Sequence, residues 1–251
     1  MRKALITGAS SGLGRDLARV LSGRGYDLIL VARRRDRLEA LTRTLPTKAH
    51  IICANQSDAG RCKALYDETR SERIDLLINN AGFGQFGAFC ETQLDTELRM
   101  IDTNIRAVHI LTKLFLRDLI ARDSGYILNV ASMAGFMPGP GMACYYATKA
   151  YVLRLTQSIS EELRRRKSAV YIGALCPGPV DTEFSATADV HFRMPSLPSV
   201  EVASYAVDQM FRRKRLIIPG KPMKIMKFAA RLAPESLLAR ACGFVNHSRH
   251  F

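Results

Sequence analysis

The stretch Lys3-Ala4-Leu5-Ile6-Thr7-Gly8-Ala9-Ser10-Ser11-Gly12-Leu13-Gly14 decides the fold, because it joins a short apolar strand to a glycine-rich turn. A helical pattern then runs through Leu21. Strand, glycine turn and helix together favour phosphate binding, since glycines let the backbone approach and the N–H groups that open the helix face the anion. The spacing is G-x-x-x-G-x-G, and a glycine-rich turn without any anion is the alternative interpretation.

Short apolar runs alternate with helical patterns along the chain. The predicted strands are 3–7, 27–32, 50–54, 74–78, 126–130 and 170–176, and the predicted helices after the first are about 36–45, 59–71 and 95–122. The run at 74–78 is continuously apolar, as expected of a parallel strand that is buried on both faces. This alternation, with no linker before residue 180, predicts an α/β fold with a doubly wound parallel sheet and helices on both faces.

The formal charge of +14 raises the question of a nucleic-acid partner. The basic residues cluster at 33–37, at 164–167 and at 212–231, and the last of these segments contains no acidic residue. No helix-turn-helix, zinc-finger or RNA-recognition pattern accompanies these clusters. Nucleic acid is therefore not the expected partner.

The six cysteines are scattered, and none has a metal-ligand spacing. They indicate buried thiols in a reducing, cytoplasmic compartment and no metal site. The first residues run directly into the first strand, so we expect no cleavable signal peptide. No apolar run approaches the length that spans a bilayer.

Tyr145 and Lys149 are four residues apart, so on a helix they share one face with Cβ atoms about 6 Å apart. A cation beside a phenol favours the phenolate and lowers a pKa that is normally about 10. Such a group gives a proton to a carbonyl oxygen or takes one from an alcohol. A partly buried Tyr beside a solvated Lys is the alternative, and the preceding motifs decide between the two.

Polar residues follow two predicted strands at their carboxyl ends, where open α/β sheets bind ligands. Asn79-Asn80-Ala81-Gly82 follows the fourth strand, and Ser132 follows the fifth. Asn104 falls in the middle of the long predicted helix, where an amide is a poor helix former. The position of Asn104 therefore indicates that its side chain has a functional role.

Taken in order, these motifs resemble those of the short-chain dehydrogenase/reductases. The matching motifs are Thr7-Gly8-(x)3-Gly12-x-Gly14, Asn79-Asn80-Ala81-Gly82, Asn104, Ser132, Tyr145-(x)3-Lys149 and Pro177-Gly178-Pro179-Val180-Asp181-Thr182. The resemblance covers about residues 3–220 and extends to a mainly bacterial branch with a basic C-terminal extension. It implies a single-domain Rossmann-type fold and an NADP(H)-dependent oxidoreductase.

The resemblance implies catalytic roles for the matching positions. Tyr145 would be the general acid in reduction and the general base in oxidation, while Lys149 would lower its pKa and hydrogen-bond the nicotinamide ribose. Ser132 would hold the substrate oxygen as a donor aimed at developing negative charge. Asn104 would anchor a water that relays protons from Lys149 to solvent. The cofactor would supply the hydride chemistry.

The resemblance also implies a cofactor-binding set. Gly8, Gly12 and Gly14 would line the pyrophosphate. Asn80 would stabilise the sheet nearby, and Thr182 would reach the nicotinamide carboxamide. The complete predicted set is Gly8, Ser10, Ser11, Gly12, Leu13, Gly14, Arg33, Arg34, Arg37, Asn55, Gln56, Asn80, Ala81, Gly82, Tyr145, Lys149, Pro177, Gly178, Val180 and Thr182.

The residues after the second strand predict NADP rather than NAD. An NAD enzyme usually places an acid there on the ribose 2′-hydroxyl, whereas this chain has Arg33-Arg34-Arg35. Ser11 stands where some NADP-binding members have a basic residue, so the 2′-phosphate contact depends on Arg33, with Arg34 or Arg37 as helpers. A solvated charge run is the alternative for some of these arginines.

Two other positions, Asn55 and Tyr146, bear on the predicted site. Asn55 stands where the family usually has an Asp that accepts from the adenine amino group. An amide oxygen can still accept, so we expect weaker adenine binding but not its loss. Tyr146 is a rival for Tyr145, but it lies about 100° round the helix, so both cannot face the nicotinamide. We expect Tyr146 to pack or to form a pocket wall.

Residues 182–200 would form the substrate lid of the family. Their apolar and aromatic side chains indicate a hydrophobic ketone, aldehyde or alcohol, such as a long-chain 3-oxoacyl group or a steroid-like ketone. The predicted division of the chain is a dinucleotide-binding and catalytic domain at 1–220 and an amphipathic basic extension at 221–251. Family habit implies a homodimer or homotetramer.

The extension is predicted to form two helices, at 221–233 and 235–245, in which apolar residues are interleaved with Lys and Arg. Such a helix can lie in an anionic membrane interface, pack across a subunit interface or extend the substrate pocket. Two other functions therefore fit parts of the chain: a non-catalytic NADP-binding sensor or scaffold, and a membrane-surface protein that uses its tail. The complete set of Asn104, Ser132, Tyr145 and Lys149 argues against the sensor.

Overall fold

The strands and helices alternate as the apolar pattern predicts, in a computed structural model that describes residues 2–247. The strands are β1 (Arg2–Thr7), β2 (Tyr26–Ala32), β3 (Ala49–Cys53), β4 (Leu76–Asn79), β5 (Tyr126–Val130), β6 (Tyr171–Leu175), β7 (Val180–Asp181), β8 (His191–Phe192), β9 (Leu197–Pro198), β10 (Leu216–Ile217) and β11 (Asn246–His247). The helices are α1 (Gly12–Ser22), α2 (Arg35–Thr42), α3 (Ala59–Thr69), α4 (Leu94–Ile101), α5 (Val108–Ala121), α6 (Ala143–Arg165), α7 (Phe184–Ala188), α8 (Ser199–Phe211), α9 (Lys221–Leu232) and α10 (Glu235–Val245).

Within the described residues, the central sheet has seven strands in the order β3-β2-β1-β4-β5-β6-β10. Every neighbouring pair in this sheet is parallel. The chain order reverses between β1 and β4, and open sheets of this kind bind ligands outside the carboxyl ends of the strands at such a point. The predicted Rossmann-type doubly wound sheet is confirmed.

Helices cover both faces of the sheet because its strands are apolar on both sides. On one face α1 and α8 pack through residues such as Leu17 and Met210. On the other face α3 and α5 contribute Leu65, Leu111 and Phe115. The apolar core therefore lies in two layers and holds the strand ends in fixed positions.

The long helix predicted for 95–122 is not continuous. It consists of α4, a π-helical turn at Asp102–Ala107, and α5. The wide turn contains Asn104, whose amide bonds to the backbone of Phe83 and to the hydroxyl of Thr148. The spacing of apolar residues does not reveal such a turn, because the apolar faces of α4 and α5 read as one continuous face in the sequence. π-Helical turns occur often at functional sites.

The segments after residue 180 pack on the same body. The predicted lid contains α7, β8 and β9, and β11 of the extension pairs with β8 in an antiparallel ladder. The two helices predicted for the extension are present as α9 and α10. Residues 248–251 of the predicted extension lie outside the described residues.

Within the part of the chain that is described, no helix is both long enough and apolar enough to cross a membrane. All six cysteines lie in the described range and are free thiols. Cys62, Cys176 and Cys242 are buried as expected, but Cys90 is exposed, so the expectation of burial is wrong for that residue.

Candidate active site

A cavity of about 1060 Å³ opens at the carboxyl ends of β1, β4, β5 and β6. The turn after β1 and the first residues after β4 form one end of it. Residues that follow β5 and β6 form the middle, and the lid with α9 and α10 forms the far end. The cavity therefore lies at the point where the strand order reverses.

The glycine turn at one end of the cavity fits an anion. Gly8 and Gly12 have φ angles of +67° and +51°, which L side chains adopt only with strain. A Cβ atom on Gly14 would lie 2.2 Å from the carbonyl oxygen of Gly8. Ser11 precedes α1 without a side-chain cap, and the first turn has no acidic residue. The N-terminal N–H groups of α1 are thus suited to a pyrophosphate.

Nearly all of the predicted cofactor residues line this cavity. They are Gly8, Ser10, Ser11, Gly12, Leu13, Gly14, Arg33, Arg34, Asn55, Gln56, Asn80, Ala81, Gly82, Tyr145, Lys149, Pro177, Gly178, Val180 and Thr182. Arg37 is the exception. It lies on α2 outside the cavity lining, and its guanidinium pairs with Glu183.

The arginines after β2 occupy different environments. Arg34 donates to the Ser11 hydroxyl at 2.9 Å and pairs with Glu183 at 3.2 Å. The hydrogen bond from Arg37 is the main cause that lowers the pKa of Glu183, and Arg34 adds to it. Arg33 lines the cavity, is exposed and pairs with no carboxylate within residues 2–247. It is therefore the cation of this group that is available to a phosphate.

The turn after β3 contains Asn55 and Gln56, which both belong to the predicted cofactor-binding set and line the cavity. The side-chain oxygen of Asn55 accepts hydrogen bonds from the Ser57 N–H and the Ser57 hydroxyl, at 3.2 and 3.0 Å. A carbonyl oxygen has two lone pairs, so this turn already uses the acceptor that was predicted for adenine. The neighbouring Gln56 is buried, and its Nε2 has no acceptor in the described part of the chain. Gln56 lines the cavity, but this nitrogen is itself buried away from the cavity surface.

Tyr145 is buried on α6 and its side chain faces the cavity. Burial raises the pKa of Tyr145 above its usual value, and a hydrogen bond with Ser132 opposes this shift without cancelling it. The expected lowering by Lys149 is not found, because burial outweighs the effects of the neighbouring groups. The phenol is therefore protonated at neutral pH and is suited to donate a proton.

Lys149 is held behind Tyr145. Its Nζ atom lies 5.7 Å from the centre of the Tyr145 ring and donates to the Val130 carbonyl at 2.9 Å. Burial lowers the pKa of Lys149 to about 8. A Cβ atom on Gly82 would lie 3.4 Å from this Nζ and 2.9 Å from Oδ1 of Asn104. The glycine in the Asn-Asn-Ala-Gly turn therefore leaves room for both side chains.

Ser132 follows β5 and faces the same cavity. Its Oγ atom accepts from the Ala134 N–H at 3.1 Å and donates to the Pro177 carbonyl at 3.4 Å. The second distance is long for a hydroxyl donor, and Ser132 also forms a hydrogen bond with Tyr145. The two hydroxyls are therefore adjacent in the cavity and suit one substrate oxygen.

Asn104 lies behind the cavity wall and does not line the cavity. It is 1% exposed, its Oδ1 accepts from the Phe83 N–H at 3.1 Å, and its Nδ2 donates to the Phe83 carbonyl and the Thr148 hydroxyl. These bonds fix the loop after Gly82 and the start of α6. The predicted water relay at Asn104 stays a prediction.

Asn80 and Thr182 hold the glycine turn from two sides. Asn80 Nδ2 donates to the carbonyls of Thr7 and Gly8 at 3.0 and 3.2 Å, which ties the end of β4 to the turn after β1. A Cβ atom on Gly12 would lie 3.0 Å from the Thr182 side chain, so Thr182 packs directly against the turn. The predicted contact of Thr182 with a carboxamide stays a prediction.

Beyond Tyr145 the cavity wall is mainly apolar. The apolar and aromatic residues there are Phe83, Phe86, Met137, Tyr146, Phe184, Ala188, Phe192, Met194, Met226, Leu238, Ala241, Cys242 and Val245. The ring of Phe184 lies 5.2 Å from the ring of Tyr145, so the lid packs against that tyrosine. Tyr146 forms part of this wall, as predicted.

Several of these residues were not singled out from the sequence as site residues. Glu183 is separated by well over a hundred positions from the arginines that it pairs with, and no local pattern indicates the contact. Met226 and Leu238 belong to helices whose role the sequence left open. Among the described residues there is no group of three or more His, Cys, Asp or Glu side chains that could hold a metal ion.

Comparison with known proteins bears directly on this site. A family profile described as short chain dehydrogenase matches residues 2–191. An uncharacterized oxidoreductase of Staphylococcus epidermidis is 34% identical over 190 residues, which are 74% of this chain and 81% of that protein. The 3-oxoacyl-(acyl-carrier-protein) reductase of Staphylococcus aureus is 30% identical over 213 residues, which are 82% of this chain and 86% of that protein.

Solved structures resemble the whole described architecture. A short-chain dehydrogenase from Sphingobium yanoikuyae in complex with NADPH has a TM-score of 0.84 and 32% identity, and the match covers 94% of this chain and 95% of the other. A bulky-bulky ketone specific alcohol dehydrogenase from Comamonas testosteroni has a TM-score of 0.79 and 29% identity, with 92% of each chain covered. The structural likeness therefore covers more of the chain than the family profile does.

Proposed function

The chain belongs to the short-chain dehydrogenase family, and on this premise we propose that it is an NADP(H)-dependent oxidoreductase that interconverts a hydrophobic ketone or aldehyde and its alcohol. As a family member it is an oxidoreductase of alcohol and carbonyl groups that uses a nicotinamide cofactor. One observation carries the finer proposal. The hydroxyls of Ser132 and Tyr145 and the ammonium of Lys149 line the same cavity as the glycine turn.

The proposed roles follow from the environment of each side chain. A bound nicotinamide dinucleotide would supply the hydride. Tyr145 holds its proton at neutral pH, because burial raises its pKa, so it donates that proton to the carbonyl oxygen in reduction. Ser132 donates a hydrogen bond to the same oxygen as negative charge develops. Lys149, with a pKa of about 8, stabilises the phenolate that Tyr145 becomes.

The cofactor would be held along the first half of the cavity. The glycine turn and the N-terminus of α1 suit the pyrophosphate, and Asn55 and Gln56 line the part of the cavity that we assign to the base. Arg33 supports the choice of NADP, because among the arginines at 33–37 it is the one without an acidic partner in the described residues. The NADPH complex of the Sphingobium relative, at 32% identity, supports the same choice.

The substrate proposal depends on the apolar far wall. Aromatic and methionine side chains from the lid and from α9 surround the space beyond Tyr145, which suits an apolar group next to the reacting carbonyl. The Comamonas relative is named for bulky ketones and the Staphylococcus aureus relative for 3-oxoacyl groups. We therefore propose a bulky ketone or a long-chain 3-oxoacyl group as the substrate class.

The compartment, the oligomeric state and the domain division of the protein are also proposals. The six free thiols support a reducing, cytoplasmic compartment. Leu94, Leu98 and Ile101 form an exposed apolar stripe on α4, which supports assembly into a homodimer or homotetramer. The division at residue 220 into a catalytic domain and an extension is likewise a proposal.

The test is NADPH oxidation by the purified protein across a carbonyl panel that runs from short aldehydes to acyl thioesters and steroid ketones. We expect turnover that rises with the apolar size of the substrate and that is faster with NADPH than with NADH. Tight NADPH binding without oxidation in the presence of any carbonyl would contradict the proposal and favour the sensor. Equal rates with both cofactors would contradict the NADP assignment alone.

A further inference from the structure

The outer face of α9 is apolar and exposed. Ile225, Phe228 and Leu232 are all exposed, and their spacing places them within one stripe along the helix. Leu237 and Phe244 on α10 are also exposed. Exposed apolar side chains that occur singly are ordinary, but a contiguous group of them marks an interaction surface. We refer to Ile225, Phe228 and Leu232 as the α9 stripe.

The charge beside this stripe is entirely positive. Lys221, Lys224, Lys227 and Arg231 are on the same helix, and no acidic residue occurs from residue 212 to residue 234. At 100° per residue, Lys224 and Arg231 fall on the flank of the stripe. None of these four cations forms an ion pair with an acid in the part of the chain that the structure covers, although Lys224 lies 5.5 Å from the ring of Tyr205. Their charge is thus available to a partner.

A second exposed stripe shows that this charge is specific to α9. The α4 stripe of Leu94, Leu98 and Ile101 is also exposed, although less so than the α9 stripe, and it carries both signs of charge. Asp102 on that side pairs with Arg106. Mixed charge suits contact with another protein surface, whereas a purely basic flank repels a second copy of itself and attracts an anionic surface.

We propose that α9 and α10 dock this protein on the surface of an anionic phospholipid bilayer, with the α9 stripe in the apolar boundary and the flanking cations at the headgroups. Helices with an apolar face and a basic flank lie in the plane of such an interface. Cations next to the surface add attraction that requires anionic lipid. An anionic bilayer is the partner that fits both the apolar α9 stripe and the unpaired positive charge beside it.

The inner faces of the same helices line the cavity. Met226 of α9 and Leu238 and Val245 of α10 form part of its far wall, and β11 pairs with β8 of the lid. Docking would therefore place the substrate end of the cavity one helix diameter from the bilayer, where an apolar substrate is concentrated. This consequence deepens the proposed function, but docking itself does not depend on turnover.

The test uses co-sedimentation of the full-length protein with two kinds of vesicle, phosphatidylcholine alone and phosphatidylcholine mixed with phosphatidylglycerol. We expect the wild-type protein to pellet with the mixed vesicles. Phe228→Gln should lower the partition coefficient by roughly tenfold or more, because it removes an aromatic ring from the apolar boundary. The double variant Lys224→Gln/Arg231→Gln should lose binding to the mixed vesicles.

Phe89→Gln is the matched control, because Phe89 is 68% exposed and Phe228 is 63% exposed, and Phe89 belongs to neither α9 nor α10. It should pellet like the wild-type protein, and circular dichroism should show that all variants are folded. Equal pelleting of Phe228→Gln and wild type would overturn the proposal, as would a wild-type protein that stays in the supernatant. A fall in oligomer size caused by Phe228→Gln alone would assign the stripe to contact between copies and would also overturn it.

Discussion

The two ends of the cavity are built on different principles. At the catalytic end Tyr145, Lys149 and Asn104 are buried, and protein atoms hold each of them. At the ribose-phosphate end Arg33 is exposed and Arg34 is half-buried. Burial restricts a side chain to one geometry and shifts its pKa, whereas the charge of an exposed cation is screened by solvent.

We therefore expect the buried end to govern the chemical step and the exposed end to govern the choice between NADP and NAD. A change at the buried end removes a group that no other residue replaces, so the effect should be large. A change at the exposed end removes a cation whose charge solvent already screens, so the effect should be partial. The following predictions test this contrast, beginning with the largest expected effect.

Tyr145→Phe removes the proposed proton donor and keeps the ring. We expect kcat to fall by about 10²- to 10⁴-fold, the usual contribution of a positioned acid. Affinity for NADPH should change by only a few-fold, as measured by fluorescence titration. Tyr146→Phe is the matched control and should keep most of the turnover. Unchanged turnover of Tyr145→Phe would remove Tyr145 from the mechanism.

Lys149→Met tests the burial of the ammonium through the pH dependence of stability. The pKa of Lys149 is lowered from 10.5 to about 8 in the folded protein, so between these pH values the folded protein loses its proton while the unfolded chain keeps it. The free energy of unfolding of the wild type should therefore rise relative to the variant as pH increases through this window, by roughly 3 kcal/mol in total.

Guanidinium unfolding of both proteins across that pH range measures the difference. The Tyr145 phenol is present in both proteins, so its own titration cancels in the comparison. Below pH 8 the full cost of the buried charge is present in the wild type, and the two curves should run parallel there. Parallel curves over the whole range would show that Lys149 is not desolvated.

Arg33→Ala tests the exposed end. Loss of one charged hydrogen-bond partner of the 2′-phosphate should lower kcat/KM for NADPH by about 10- to 100-fold and leave NADH turnover nearly unchanged. Arg35→Ala is the control, because Arg35 is exposed, pairs with Glu39 and does not line the cavity. An equal loss of kcat/KM with NADPH and NADH would show that Arg33 has a structural role. A loss of activity as large as that of Tyr145→Phe would contradict the expected difference between the two ends of the cavity.

Most of this end of the cavity could be predicted from the sequence. Ser132 comes two positions after β5, and Tyr145 and Lys149 share one face of α6, so local structure sets where each of these side chains begins. Two properties of this end could not be predicted from the sequence. The π-helical turn around Asn104 leaves no mark in the apolar pattern, and the raised pKa of Tyr145 depends on burial by the lid and by the loop after β4.

The phosphate end was less predictable. The run of arginines after β2 was visible, but which of them stays unpaired depends on Glu183, which reaches them from the start of the lid. Asn55 was expected to accept from adenine, yet its oxygen serves the local turn with Ser57. A side chain on the surface has several partners within reach, and the sequence does not rank them.

The sequence by itself determined the order of strands and helices, the glycine turn and the spacing of the catalytic side chains. These features follow from local demands on the backbone, which each short stretch meets on its own. Only the tertiary structure decided which arginine remains available, how deeply Tyr145 and Lys149 are buried, and that α9 and α10 form a cavity wall with an apolar outer face. Burial and ion pairing depend on residues that are distant in the chain, so no local pattern contains them.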